Sequence, residues 1–253
     1  MANILVTGAN QGIGWHLVRQ LLEDGHSAAV LDLETKGLEE LAGQYPGRLY
    51  PFVCDVRDEE RVRQCVREAE ERMGTVDIAV HNACLCTFQN FEQSEDDLYR
   101  RVLDVNYFGA LHLARAVLPV MEARGRGKII FTSSGVGVTG FSGISPYASG
   151  KGALEALAKC LDLEYRKRGI TFHLFHPPLT RTCSSAPLPV PQEFMADPAK
   201  VGAGLAKRIG SRKFVICHSR MQSFQVRLCY LWPLILGRLM CRMTERAQEN
   251  DKE

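Results

Sequence analysis

At 253 residues the chain is long enough to bury the core of one α/β domain. Apolar residues make up 45% and charged residues 24%, the proportions of a soluble globular protein. A formal net charge of +2 gives no electrostatic reason to expect nucleic acid or a strongly acidic partner.

Met1-Ala2-Asn3 runs straight into an apolar stretch, without the basic region, apolar core and small-residue site of a secretion signal, so a cytoplasmic location is expected. Strand-like and helix-like segments then alternate, which favours a parallel sheet covered on both faces, a doubly wound Rossmann-type α/β fold. Asn3–Val6 reads as the first strand, and a helix follows from Ile13 to Glu23, with Gly25 just past its end. Ala28–Leu31 is a second apolar run, closed by Asp32. Leu49–Val53 is a third, leading into Asp55 and the charged helix Asp58–Arg72, and Val76–Val80 is a fourth. Ser94–Glu122 carries helical spacing, with Ser94 and Asp97 placed as a capping-box-like start. Lys128–Thr132 is a fifth strand, Pro146–Arg168 a helix closed by Gly169, and Thr171–Phe175 a sixth strand. The six prolines of His176–Pro198 make that stretch a loop with at most a short helix. Lys200–Arg208 is helical and Lys213–Cys217 is the last strand, so residues 1–217 are expected to form one domain and 218–253 an appendage.

Thr7-Gly8-Ala9-Asn10-Gln11-Gly12-Ile13-Gly14 falls between the first strand and the first helix. Such a glycine-rich turn brings the backbone close to a pyrophosphate, and the helix start offers free N–H groups and a positive dipole end. Asp32 lies about twenty residues further on, where a carboxylate accepts hydrogen bonds from an adenosine ribose diol and repels a 2′-phosphate. No cation lies in the turn, and Leu33 and Glu34 follow Asp32, with Lys36 the nearest cation. NAD is therefore expected in preference to NADP.

Tyr147 and Lys151 are four residues apart on one helix face, and Ser134 ends a strand before them. A phenol is a poor base near neutrality, with a reference pKa of ~10, and a neighbouring ammonium favours its phenolate. With these residues and the glycine turn, the chain resembles the short-chain dehydrogenase/reductase family over residues 3–217. The further motifs that carry the resemblance are Asp55-Val56, His81-Asn82-Ala83-Cys84 and Asn106. The resemblance implies an NAD-dependent oxidoreductase in which Tyr147 is the general acid/base and Ser134 orients and polarises the substrate oxygen. Lys151 would bind the nicotinamide ribose and lower the pKa of Tyr147, and Asn106 would hold a water linking Lys151 to solvent. Gly8, Asn10, Gln11, Gly12, Ile13 and Gly14 would bind the cofactor together with Asp32, Val56 and Pro177. Asp55 would face the adenine, Asn82 would brace the central strand, and Thr182 would touch the carboxamide.

The chain departs from the family where Asn-Asn-Ala-Gly becomes His81-Asn82-Ala83-Cys84, and where Pro-Gly becomes Pro177-Pro178. Cys84 adds a side chain beside the cofactor, and Pro178 stiffens the entrance to the substrate loop. His81 and His176 lie at strand ends near the cleft, with no acid placed by the sequence to orient either, and read as packed or hydrogen-bonded histidines. The nine cysteines are scattered without a CxxC pair, Cys84 and Cys86 lying two apart, and read as thiols of a reducing cytosol. Nothing in the pattern assembles a metal site.

The tail surrounds an apolar stretch, Leu228–Leu236 with Pro233 inside it, by Arg220, Arg227, Arg238, Arg242 and Arg246 against one acid, Glu245. Two amphipathic helices broken at Pro233 are expected, covering the substrate cleft, touching a partner subunit or resting on an anionic membrane surface. By analogy with the family, Phe141, Ile144, Leu179, Leu188, Val190 and Phe194 are the expected substrate walls. Their apolar character suits a lipophilic secondary alcohol or ketone such as a steroid, retinoid or fatty-chain compound. By family analogy, helices Ser94–Glu122 and Pro146–Arg168 form the contacts of a homodimer or homotetramer. A sugar-nucleotide epimerase or dehydratase and a non-catalytic nucleotide-binding scaffold are the alternative readings.

Overall fold

The computed structural model describes residues 1–188 and 190–250. Pro189 of the proline-rich loop and residues 251–253 of the appendage lie outside the described residues.

Seven parallel strands form one sheet: β1 (Asn3–Thr7), β2 (Ser27–Asp32), β3 (Leu49–Val53), β4 (Ile78–His81), β5 (Gly127–Thr132), β6 (Ile170–Phe175) and β7 (Val215–Ile216), in the order β3-β2-β1-β4-β5-β6-β7. The apolar runs of the central strands are continuous rather than alternating because helices cover both faces. Helices α1 (Gly12–Glu23), α2 (Glu39–Gln44) and α8 (Pro198–Ala206) close one face around Leu17, Leu21, Val30 and Leu205. Helices α3 (Glu59–Met73), α5 (Gly109–Arg124) and α7 (Ser145–Tyr165) close the other around Val66, Leu113, Phe131 and Leu154. The chain leaves β1 towards β2 and returns on the other side at β4, so a crevice opens at the carboxyl ends of these strands.

Local chemistry explains most boundaries. Asp58 caps α3 by accepting the Arg61 N–H at 3.0 Å. Gly169 (φ 80°) ends the turn after α7.

The single helix expected over Ser94–Glu122 is instead three pieces. Helix α4 (Asp96–Leu103) passes into a π-helical turn at Asp104–Phe108 before α5 begins. Gly109 sits where any Cβ would lie 2.8 Å from the Val56 side chain, so the helix swings close to the β3–α3 connection. The capping box also fails to form. The Ser94 hydroxyl donates backwards to the Asn90 carbonyl at 2.9 Å, and α4 opens on Glu95 without a side-chain cap. The last strand is shorter than expected, because only Val215 and Ile216 pair with β6. The proline-rich loop holds two 3₁₀ turns, Cys183–Ser185 and Gln192–Phe194, and a bridge from Thr180 to Ala196.

The appendage is two helices, α9 (Arg220–Leu231) and α10 (Pro233–Asn250). Pro233 opens α10, where its missing N–H costs nothing. Ser219 caps α9 through the Gln222 N–H at 3.1 Å. No described helix is long and apolar enough to cross a membrane.

Candidate active site

A cavity of about 890 Å³ runs along the carboxyl edge of the sheet, from Asp32 and Asp55 past the glycine turn to Ser134, Tyr147 and Lys151. At the turn Gly8 and Gly12 have φ of 69° and 62°, where side-chain residues are strained. A Cβ on Gly8 would lie 2.4 Å from Ala83 Cα, and one on Gly14 would lie 2.3 Å from the Gly8 carbonyl. These glycines let β1, α1 and the segment after β4 pack together.

The polar side chains of this corner hold the same junction. Asn82 donates from Nδ2 to the Gly8 carbonyl at 2.6 Å, and Thr7 Oγ1 accepts the Asn82 N–H at 3.1 Å and the Ala83 N–H at 3.2 Å. Asn82 thus ties the turn after β1 to the end of β4. Asp32 Oδ2 accepts the Asn10 N–H at 2.8 Å, while Asn10 Oδ1 accepts the Gly37 N–H at 2.7 Å. Asn10 therefore works from outside the cavity, as do Gly14 and Asn106. Gly8, Gln11, Gly12, Ile13, Asp32, Asp55, Val56, Asn82, Pro177 and Thr182 line it. The Asp55 carboxylate is gripped by the Arg57 guanidinium at 2.6 Å, and that contact holds its pKa below the usual range. Thr182 opens the Cys183–Ser185 turn through a capping box and faces Gly12, 3.3 Å from where a Cβ would stand.

Tyr147 and Lys151 project from successive turns of α7, opposite Ser134 at the end of β5. Lys151 is buried, its ammonium donating to the Thr132 carbonyl at 2.7 Å and lying 5.5 Å from the centre of the Tyr147 ring. The expected lowering of the Tyr147 pKa does not appear in the protein alone. Burial pushes it well above its ordinary value, the Cys84 and Cys86 thiols push the same way, and the Ser134 hydroxyl pulls back only in part. Burial is the largest cause at the phenol, and burial also lowers the pKa of the Lys151 ammonium. Asn106 sits at the π-helical turn, a distortion frequent at functional sites. Its side chain accepts the Leu85 N–H at 2.7 Å and donates to the Leu85 carbonyl at 3.0 Å, fixing the strand-end segment that carries Cys84 and Cys86.

Of the three placements expected of the tail, the structure describes the one at the cleft, and one further feature, the partner of His176, escapes the reading of the sequence. The inner faces of α9 and α10 line the cavity through Gln225, Val226, Cys229, Met240 and Met243, so the appendage is a wall of the pocket. An acid does orient His176: Glu155, distant in sequence from β6, lies one helical turn beyond Lys151 and 2.6 Å from His176 Nε2. Its spacing of four from Lys151 was the available signal. His81 stands beside Thr7 Oγ1, 3.1 Å from its Nδ1. Among the described residues no group of histidines, cysteines and acids has the geometry of a metal site.

The family model of the short chain dehydrogenases matches residues 2–191. The chain belongs to that family. Members of the short-chain dehydrogenase family are oxidoreductases that bind nicotinamide cofactors, transfer hydride and act on small molecules, which is the chemistry of this protein at its coarsest. The oxidoreductase UcpA of Escherichia coli (strain K12) is 34% identical over 213 residues, covering 83% of this chain and 80% of its own. The 3-dehydrosphinganine reductase of Danio rerio is 30% identical over 72% of this chain and 57% of its own length. A gluconate 5-dehydrogenase from Burkholderia cenocepacia J2315, solved with NADP and tartrate, superposes with a TM-score of 0.74. It shares 28% identity over 82% of this chain and 87% of its own.

The lining residues fit a dinucleotide. Positive-φ glycines open the turn, α1 begins at Gly12 with no acid in its first turn, and Asp32 lies at the far end of one continuous cavity.

Proposed function

We propose that the protein is an NAD-dependent dehydrogenase/reductase of a lipophilic secondary alcohol or ketone. The observation that carries this reading is the convergence of Ser134, Tyr147 and Lys151 on one wall of a cavity whose other end is the glycine turn and Asp32. NAD supplies the hydride acceptor, and NADH the donor. Tyr147 holds the proton that is exchanged with the substrate oxygen, and Ser134 fixes that oxygen by hydrogen bonding. Lys151, anchored on the Thr132 carbonyl, binds the ribose side of the cofactor and carries positive charge into the apolar site. Asn106 positions the Cys84–Cys86 segment against Tyr147. The steroid, retinoid or fatty-chain classes suit the pocket, whose substrate end combines Phe141, Ile144, Leu179 and Phe194 with Val226 and Met240 of the tail. The similarity to a 3-dehydrosphinganine reductase supports the same direction.

The deciding measurement is NADH and NADPH binding by fluorescence, followed by turnover of a panel of lipophilic ketones and alcohols. Binding of neither nucleotide sinks the reading. We expect NADH to bind about tenfold or more tightly than NADPH, because Asp32 accepts ribose hydroxyls and repels a 2′-phosphate. Asp32→Ala should remove most of that preference. Equal affinities in the unaltered protein would reassign the cofactor, as would a preference for NADP like the ligand of the Burkholderia structure.

A cytoplasmic setting agrees with nine free thiols. The outer face of the α9–α10 corner carries Leu231, Trp232, Leu234 and Ile235, each more than half exposed, with Arg227, Arg238 and Arg242 on the same two helices. That combination suits a peripheral contact with an anionic bilayer, from which a lipophilic substrate enters beside Met243. The protein should sediment with phosphatidylserine-containing vesicles and not with neutral ones, and Trp232→Ser should weaken the association. Equal sedimentation of both proteins would end the idea. Leu163 on α7 and Phe108 before α5 stand exposed where the subunit contacts of a homo-oligomer are proposed.

A further inference from the structure

Beneath the tail lies a buried polar cluster that the proton transfer does not use. Glu155 is 4% exposed, and its Oε1 accepts the Ser133 hydroxyl at 2.7 Å and the His176 Nε2–H at 2.6 Å. Its Oε2 accepts the Tyr230 hydroxyl of α9. Four elements meet on one carboxylate. Ser133 precedes Ser134 at the end of β5, His176 precedes Pro177 at the end of β6, Glu155 follows Lys151 by one turn of α7, and Tyr230 belongs to the tail. Burial alone would raise the Glu155 pKa. Hydrogen bonds from His176, Tyr230 and Ser133 outweigh it and keep the carboxylate below its ordinary value, hence ionised and a strong acceptor.

The other described contacts of the tail with the body are weaker or less directional, such as the Ser142 N–H on Cys241 Sγ at 3.5 Å and the Lys159 ammonium 5.8 Å from the centre of the Tyr230 ring. Within α9 only Val226 is buried, while Met221, Phe224 and Leu231 face outwards. Further along the chain Gly237 of α10 is packed closely, and a Cβ there would stand 2.6 Å from the Thr139 carbonyl. Thr139 ends the short helix α6 (Val136–Thr139), just after Ser134. An apolar residue at 230 would bury α9 against the body of the protein but would not set its rotation. The Tyr230 hydroxyl does set it, because removing one donor from a buried carboxylate costs more than the hydrogen bond itself returns.

We infer that Tyr230, Glu155 and His176 form a latch that seats the C-terminal hairpin as the selective wall of the substrate pocket. Tyr230 is a positioning residue: its ring is on the outside of the wall, and Gln225, Val226 and Cys229 of the same helix reach the cavity. Loss of the latch lets α9 turn or lift. The wall then no longer discriminates between bulky and small substrates, while the cofactor end and the Ser134–Tyr147–Lys151 group stay as they are. The inference rests on the pocket reading proposed above for its substrate half, but not for its structural half.

Tyr230→Phe tests both, since it deletes one hydroxyl and keeps the ring. Amide hydrogen exchange over 220–231 should rise by about tenfold in the variant, with the β1, β4 and β5 amides unchanged. The affinity for NADH should not move. The KM for a bulky lipophilic ketone should rise by about tenfold with kcat nearly constant, and the KM for a small ketone should stay put, so that the selectivity ratio collapses. Glu155→Gln, which weakens the acceptor without changing its shape, should give the same pattern, or a lower yield of folded protein if Ser133 and His176 also depend on it. Unchanged exchange in α9 in Tyr230→Phe would overturn the latch. Raised exchange with an unchanged selectivity ratio would overturn the claim that the wall selects. If the unaltered protein binds no nicotinamide nucleotide, the functional reading fails, and the exchange experiment still decides whether the latch exists.

Discussion

Tyr147→Phe is expected to lower kcat/KM by about a thousandfold while leaving NADH affinity within about twofold, the split that marks loss of a proton-transfer group. The phenylalanine fills the same space on α7, so Lys151 keeps its bond to the Thr132 carbonyl and the cofactor end is untouched. The pH profile adds a sign. Burial places the Tyr147 pKa well above its ordinary value, so the residue carries its proton throughout the neutral range. Ketone reduction, which consumes that proton, should be level from pH 6 to 9. Alcohol oxidation needs the phenolate and should rise about tenfold per pH unit over the same range. An oxidative rate that levels off near pH 7 would mean that Lys151 and the bound cofactor together outweigh burial. Retention of turnover in Tyr147→Phe would remove Tyr147 from the chemistry altogether.

The residues that carry this prediction were legible because their signals are local. Gly8 and Gly12 announce a turn, Tyr147 and Lys151 share a helix face, and the apolar runs from Asn3 to Phe175 fall within two residues of the six strands they mark. What was hidden depends on contacts between distant segments. The break at Asp104–Phe108 leaves no trace in the periodicity of Ser94–Glu122, since Leu98, Val102, Val105, Gly109 and Leu113 keep a spacing of three or four across it. Glu155 reads as a surface acid of a helix until the fold brings Ser133, His176 and Tyr230 around it. The tail gave its break at Pro233 and its two-sided composition, but only tertiary structure says which side is a pocket wall. The raised pKa of Tyr147 is of the same kind. Lys151 is visible at a spacing of four, whereas the desolvation of the phenol is a property of the folded site.

That distinction reaches beyond catalysis, because two buried histidines make the fold sensitive to mild acid. His81 ends β4 in complete burial. The cost of desolvating its charge, with repulsion from Lys151, drives its pKa from 6.5 to about 3, and the backbone at Val105 and Asn106 offsets only part of this. Burial likewise takes His173 on β6 from 6.5 to about 4, against the pull of the Lys213 carbonyl. In the unfolded chain both titrate at their ordinary value. Below that pH the unfolded state therefore binds two protons that the native state refuses, and stability is lost as pH falls. Above it neither state is protonated and the full stability is present. Each histidine removes about 1.4 kcal/mol per pH unit, so about 4 kcal/mol is lost between neutrality and pH 5, a large part of the stability of an ordinary domain. Burial lowers the pKa of His16 and His218 in the same direction, which steepens the fall. Lowered carboxylates such as Asp55 and Asp77 act only at lower pH, nearer their own range. Urea unfolding from pH 8 to pH 5 measures the slope, and His173→Gln, which keeps a hydrogen-bonding side chain beside Thr171, should remove about half of it. A stability that stays flat down to pH 5 would mean that water or local opening reaches these rings, and the carboxyl edge of the sheet would then be looser than its packing implies.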